Sequence, residues 1–146
     1  MLERLFEETV ERDFFRLICG EKLGEGAHRQ VFECSLDPRL VVKFETEAGS
    51  FSNVIEWNVW KDAEFLPDDI KGWLAPCHSI SANGAVLLQY RTTPARKYPD
   101  RIPAWMTDTK RGNFGMFRGR FVAHDYASNL ICNGGLTRRM KKADWW

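Results

Sequence analysis

Leu40-Val41-Val42-Lys43-Phe44 decides how the rest of the chain is read. The run is rich in β-branched and aromatic side chains and reads as a largely buried strand, yet a lysine stands in its midst. A buried ammonium is costly unless an anion answers it. The alternative is an edge strand that turns Lys43 to solvent. A helix is expected next, over 50–65, with Ser50 or Ser52 available as its cap and Val54, Ile55, Trp57, Val59, Trp60 and Ala63 forming a broad apolar surface. Glu56 lies within that surface, where a carboxylate needs a cation as much as Lys43 needs an anion. Together they predict an ion pair tying strand to helix, nitrogen to oxygen within about 4 Å.

Upstream, Leu17-Ile18-Cys19, the glycine-bearing Leu23-Gly24-Glu25-Gly26, and Val31-Phe32-Glu33-Cys34 are further short β-rich runs, and Asp37-Pro38-Arg39 is a turn before Leu40. Three consecutive antiparallel strands are expected. Before them, Leu2, Leu5, Phe6, Val10 and Phe14 recur near helical spacing, predicting an amphipathic helix over 2–16 that packs on the rest. Downstream, 74–81 and 85–89 flank Asn83-Gly84, a pair suited to the positive φ angles of a tight hairpin. A proline-containing connection over 92–105 leads to a loop, 107–113. A second hairpin is expected with Phe114 to Phe117 and Arg120 to His124 on either side of Arg118-Gly119, and a basic tail over 136–146 is expected to be helical.

Composition narrows the function. With 146 residues the chain is read as one domain, and 21 basic against 20 acidic residues leave no basic footprint for nucleic acid or anionic membrane. Cys19, Cys34, Cys77 and Cys132 are irregularly spaced, which argues for free thiols and against zinc. The acidic start, without an apolar core, does not read as a signal peptide, no apolar run reaches membrane-spanning length, and a reducing cytoplasm is expected.

The residues with chemistry fall in three places. In Leu23-Gly24-Glu25-Gly26-Ala27-His28-Arg29-Gln30-Val31 the glycines let backbone amides approach phosphate oxygens, although a plain glycine hairpin reads the same way. Lys43 and Glu56 are the second place. The third is Asp108, Lys110 and Asn113, followed by Asp125 at the end of Phe121-Val122-Ala123-His124. An Asp at a strand end and a nearby Asn suit a hard divalent cation that keeps waters and takes phosphate oxygens.

In this order the residues resemble the protein kinase superfamily, with its glycine-rich loop, strand lysine, helix glutamate, Asp-x-Lys-x-x-Asn loop and metal-binding triplet, the last matched by Asp125-Tyr126-Ala127. Small kinase-like proteins of bacteriophages are similar in general appearance. The resemblance runs from about Leu17 to Ala127. It implies an α+β fold, with residues 17–91 as a five-stranded antiparallel N-lobe carrying one main helix, residues 1–16 as an added helix, and 92–146 as a strongly reduced C-lobe. It also implies that Gly24, Gly26, Arg29 and Val31 border ATP, that Lys43 contacts its phosphates and is held by Glu56, and that Gln89, Tyr90 and Arg91 form the hinge along adenine. Asn113 and Asp125 would hold Mg2+, Asp108 would address the acceptor hydroxyl, and Lys110 would neutralise the transferred phosphoryl group.

The sequence departs from the family at Arg29, which replaces the third glycine and whose guanidinium is itself suited to phosphate, at Met106-Thr107 in place of His-Arg, and at Ala127 in place of glycine. Only 21 residues follow Asp125 (146 minus 125), fewer than a peptide-docking platform needs. Three functions follow as expectations: transfer to a protein Ser/Thr hydroxyl, a nucleotide-binding pseudokinase acting on a partner protein, or a small-molecule phosphotransferase. The tail is expected to pack rather than to form an interaction surface.

Overall fold

In the computed structural model, described over residues 13–46, 50–128 and 135–146, Lys43 sits on a central strand. The sheet is antiparallel and five-stranded, in the order β1-β2-β3-β5-β4, from β1 (Cys19–Glu25), β2 (Arg29–Cys34), β3 (Leu40–Glu45), β4 (Cys77–Ile80) and β5 (Val86–Tyr90). Pairing on both sides, Val31 opposite Lys43 and Lys43 opposite Leu87, removes the solvent-facing edge as an option for the lysine.

The period of two sorts β3 by face. Leu40 and Val42 join Ile18, Phe32, Cys34 and Val86 in one cluster, with Phe44 packed against it. Val41 and Lys43 face the opposite side. The first cluster is covered from the helical residues 13–18 (α1), where Phe15 meets Phe32 and Phe44 edge-on at 5.1 and 5.4 Å. Phe14, expected on the apolar stripe, is exposed, and Phe15 takes the packed position instead. The rest of the helix expected over 2–16 lies outside the described residues.

The other face of the sheet takes α2 (Ser52–Ala63). Its buried residues are Asn53, Glu56, Val59 and Ala63, a stripe at spacings of three and four, while Ile55 is exposed. The apolar surface expected of this helix is therefore narrower than its composition, and two polar residues lead it. Neither serine caps it. Phe51 occupies the cap position with φ 55°, Ser50 Oγ bonds Glu45 Oε2 at 2.6 Å, and the Glu45 carboxylate accepts the Asn53 amide in place of a local cap. A short α3 (Asp68–Lys71) follows.

Both hairpins form, with their turn chemistry exchanged. Between β4 and β5 only Gly84 has positive φ (74°), after a turn closed by Gly84 N donating to Ser81 O at 2.9 Å. Between β7 (Phe114–Phe117) and β8 (Arg120–Ala123) both Arg118 (48°) and Gly119 (77°) are left-handed, so the tight two-residue turn lies there instead. The tail is not helical. Met140–Lys142 is a strand, β9, antiparallel to β6 (Arg101–Pro103), and Trp145 packs among Tyr98, Phe114 and Phe121 with its indole N–H on Pro99 O at 2.9 Å. Among the described residues no helix is long and apolar enough to cross a membrane.

Candidate functional site

Glu56 organises the centre of the molecule. Its carboxylate is wholly buried and accepts hydrogen bonds from Lys43 Nζ and Gln89 Nε2 (3.2 Å) on one oxygen and from Arg29 Nη2 (3.0 Å) and Tyr126 N (3.1 Å) on the other. The expected strand-to-helix ion pair is present. Burial alone would raise the Glu56 pKa, but the charges of Lys43 and Arg29 outweigh it and hold the group down at about 2. Lys43 also donates to His124 O, which ties β3 to the segment carrying Asp125.

Arg29 is placed differently from its expected role. Its guanidinium is buried and bonds Asn53 Oδ1 at 3.2 Å, Glu56 Oε2 at 3.0 Å and Asp125 Oδ1 at 2.7 Å. It is turned onto carboxylates instead of outward. Burial would lower its pKa, but Glu56 and Asp125 raise it further, so the cation is fixed.

These groups open on a cleft of about 660 Å3, in the range of small-molecule sites. Gly24, Gly26, Arg29, Val31, Lys43, Gln89, Tyr90, Arg91, Asp108, Lys110, Asn113 and Asp125 all line it, and Glu56 stands directly behind Lys43. A wider groove of about 1300 Å3, with Trp73, Tyr98, Met116 and Phe121 along it, shares Pro94 with this cleft but none of its charged residues. We assign the chemistry to the smaller cleft, because convergent polar groups and not volume mark a site.

The fold makes no demand for glycine at two of these positions. A Cβ at Gly24 meets nothing within 4 Å, one at Gly26 only Arg29 O at 4.0 Å, and neither residue has positive φ. The Gly26 amide closes the hairpin on Arg29 O at 2.8 Å. At the opposite wall, Gln89 points inward to Glu56 with its Oε1 buried and unpartnered, and the amides of Tyr90 and Arg91 are spent on Pro76 O and Arg39 O. A purine lying along Gln89, Tyr90 and Arg91, which line this wall, would have to use groups other than those two amides.

The loop of Asp108 is anchored from several sides. Thr109 is buried and bonds Asp144 O at 2.9 Å, while Arg111 N donates to Trp146 O at 2.9 Å, so the tail braces it. Lys110 Nζ lies 5.9 Å from the Trp146 ring. Asn113 O accepts the amides of His124 (2.9 Å) and Asp125 (3.2 Å), bringing the two expected metal ligands to neighbouring positions.

Three residues were given no role of their own by the sequence. Asn53 donates to the carbonyls of Lys43, Gly84 and Ala85, and its signal was its place three residues before Glu56. His124 Nε2 donates to Gly112 O at 2.8 Å, which leaves Nδ1 to accept from the Thr92 hydroxyl at 2.7 Å. Burial, then Lys43, holds its pKa below 6.5, in keeping with that neutral form. Tyr126 is fully buried and donates to Ala75 O at 3.0 Å, with Cys77 Sγ at 3.2 Å; burial pushes that thiol up to about 12.

No family model matches the chain, and a comparison with curated proteins finds no match.

Proposed function

We propose that this chain is a minimal protein-kinase-like domain whose cleft binds ATP with Mg2+ and transfers phosphate to a protein Ser/Thr hydroxyl. One observation carries the reading: a single cleft collects Gly24 and Gly26, Lys43 backed by buried Glu56, and Asp108, Lys110, Asn113 and Asp125, positions spread over about a hundred residues. A structural role does not require glycine at Gly24, whereas close approach of phosphate does. Lys43 is the phosphate-facing cation, Asp108 the group addressing the acceptor, and the backbone of Asn113 keeps Asp125 beside it.

The donor types suit the metal. Among the described residues no three His, Cys, Asp or Glu side chains form a metal-holding group, but one carboxylate and one amide oxygen are what Mg2+ takes when phosphate and water complete its shell. Bound there, the ion would neutralise charge on the phosphates.

The second reading is a nucleotide-binding pseudokinase that acts on a partner protein. The Arg29 to Asp125 contact favours it, since a carboxylate held by a guanidinium at 2.7 Å is less available to a metal. Labelled ATP with Mg2+, followed into protein substrates and free phosphate, separates the two. For the kinase, Asp108→Asn lowers turnover by about 10² to 10⁴ with ATP affinity nearly intact. Equal near-background rates in wild type and variant, with ATP still bound, would establish the pseudokinase; no ATP binding by calorimetry removes both.

A further inference from the structure

Arg29 joins the glycine-bearing hairpin to both α2 and the Asp125 segment, and the charge of Glu56 does not require it. Lys43 already answers Glu56. Of the three contacts made by the guanidinium, the shortest is to Asp125, whose side chain is 45% exposed and lines the cleft. Lys43 and Arg29 against Glu56 and Asp125 make a neutral quartet, in which Arg29 is the cation of Asp125.

Resting on the reading of Asp125 as a metal carboxylate, we propose that Arg29 is the resident cation of this site: it competes with a divalent ion for Asp125 and so determines the site's divalent-cation requirement. Two features make the exchange workable. The guanidinium cannot be deprotonated, so it yields Asp125 only by moving away, not by titration. It presents five donors, and when a metal takes Asp125 its bonds to Glu56 and Asn53 can hold it in the wall. The hairpin therefore stays anchored whichever cation Asp125 holds. A divalent ion ligated by Asp125 would lie only a few ångströms from a guanidinium left in its present place, and that repulsion sets the competition.

Mn2+ alone, without nucleotide, tests this by electron paramagnetic resonance on wild type, Arg29→Gln and the double variant Arg29→Gln/Asp125→Asn. Arg29→Gln should bind Mn2+ at least about tenfold more tightly than wild type, a modest share of the charge repulsion removed. The gain should vanish in the double variant. An affinity within about twofold of wild type, or a gain that survives loss of the Asp125 carboxylate, overturns the proposal. Should Arg29→Gln not fold, the wild-type protein decides: the Arg29 side-chain NMR signals must move as Mg2+ is added to millimolar levels with ATP, and unmoved signals overturn it. Calorimetry with ATP is run alongside; absence of ATP binding in every form sinks the nucleotide reading, while the Mn2+ comparison still decides whether Arg29 competes at Asp125.

Discussion

Replacing Glu56 by alanine should be among the most damaging single changes in this protein. The substitution strands two buried cations, Lys43 at 3% exposure and Arg29 at 7%, and takes the acceptor from Tyr126 N and Gln89 Nε2. Removing one partner of a buried ion pair costs about 3 to 5 kcal/mol, because the remaining charge is left uncompensated. The pKa gives a second route to the magnitude. A carboxyl held at about 2 against an ordinary 4.5 contributes on the order of 3 kcal/mol at neutral pH. For a domain of this size such a loss lowers Tm by roughly 10 °C, a large part of a total stability of about 5 to 15 kcal/mol. The sign with pH follows from the depressed pKa. The Glu56 contribution is complete above the unfolded value near 4.5 and is lost as pH falls from there toward about 2. Urea denaturation of wild type and Glu56→Ala at neutral pH and again near pH 3 measures both. The gap should narrow at the lower pH. A loss under about 1 kcal/mol at neutral pH, or a gap that does not change with pH, would refute the electrostatic account.

Gly24→Ala should leave stability within about 0.5 kcal/mol, since its Cβ meets nothing, yet weaken ATP binding in calorimetry if phosphates approach the hairpin; unchanged affinity counts against that approach. Gly84→Ala should do the reverse. Its φ of +74° and a Cβ 2.6 Å from Val54 Cγ2 cost at least about 1 to 2 kcal/mol in a thermal melt, with little effect on ligand. Tyr126→Phe should lose about 1 to 2 kcal/mol by urea denaturation, because Ala75 O loses a buried donor; a neutral result would mean that another group replaces it.

The strands were legible because period-two alternation is local. Leu40 and Val42 on one face, with Lys43 on the other, can be read from five residues. Lys43 and Glu56 were legible too, since each is anomalous in its own apolar setting. What failed depended on distant partners. Phe51 caps α2 only because a carboxylate from β3 reaches the Asn53 amide. The tail forms β9 because β6, nearly forty residues earlier, offers an edge to pair with; neither sequence announces that pairing. Arg29 reads as a loop residue, and only the fold brings it to Glu56 and to Asp125, 27 and 96 positions away.

That long reach couples stability to chemistry in one cluster. Glu56 is held by cations from β2 and β3, so the same two side chains that set the geometry of the cleft also fasten the hairpin and β3 to α2. Asp125 draws on only one of them. It is the half-exposed corner of the quartet, with solvent on one side and the Arg29 guanidinium on the other. A change at Glu56 must therefore register first in folding, because both of its cations are buried and have little water to fall back on. At Asp125 the order reverses: the lost pair is partly solvated and its contribution to stability is smaller, while a ligand that needs this particular carboxylate loses it outright. A site whose charge is neutral before a ligand arrives can admit a cation only by shifting one of its own, and of the two cations in the quartet Arg29 is the one in contact with Asp125.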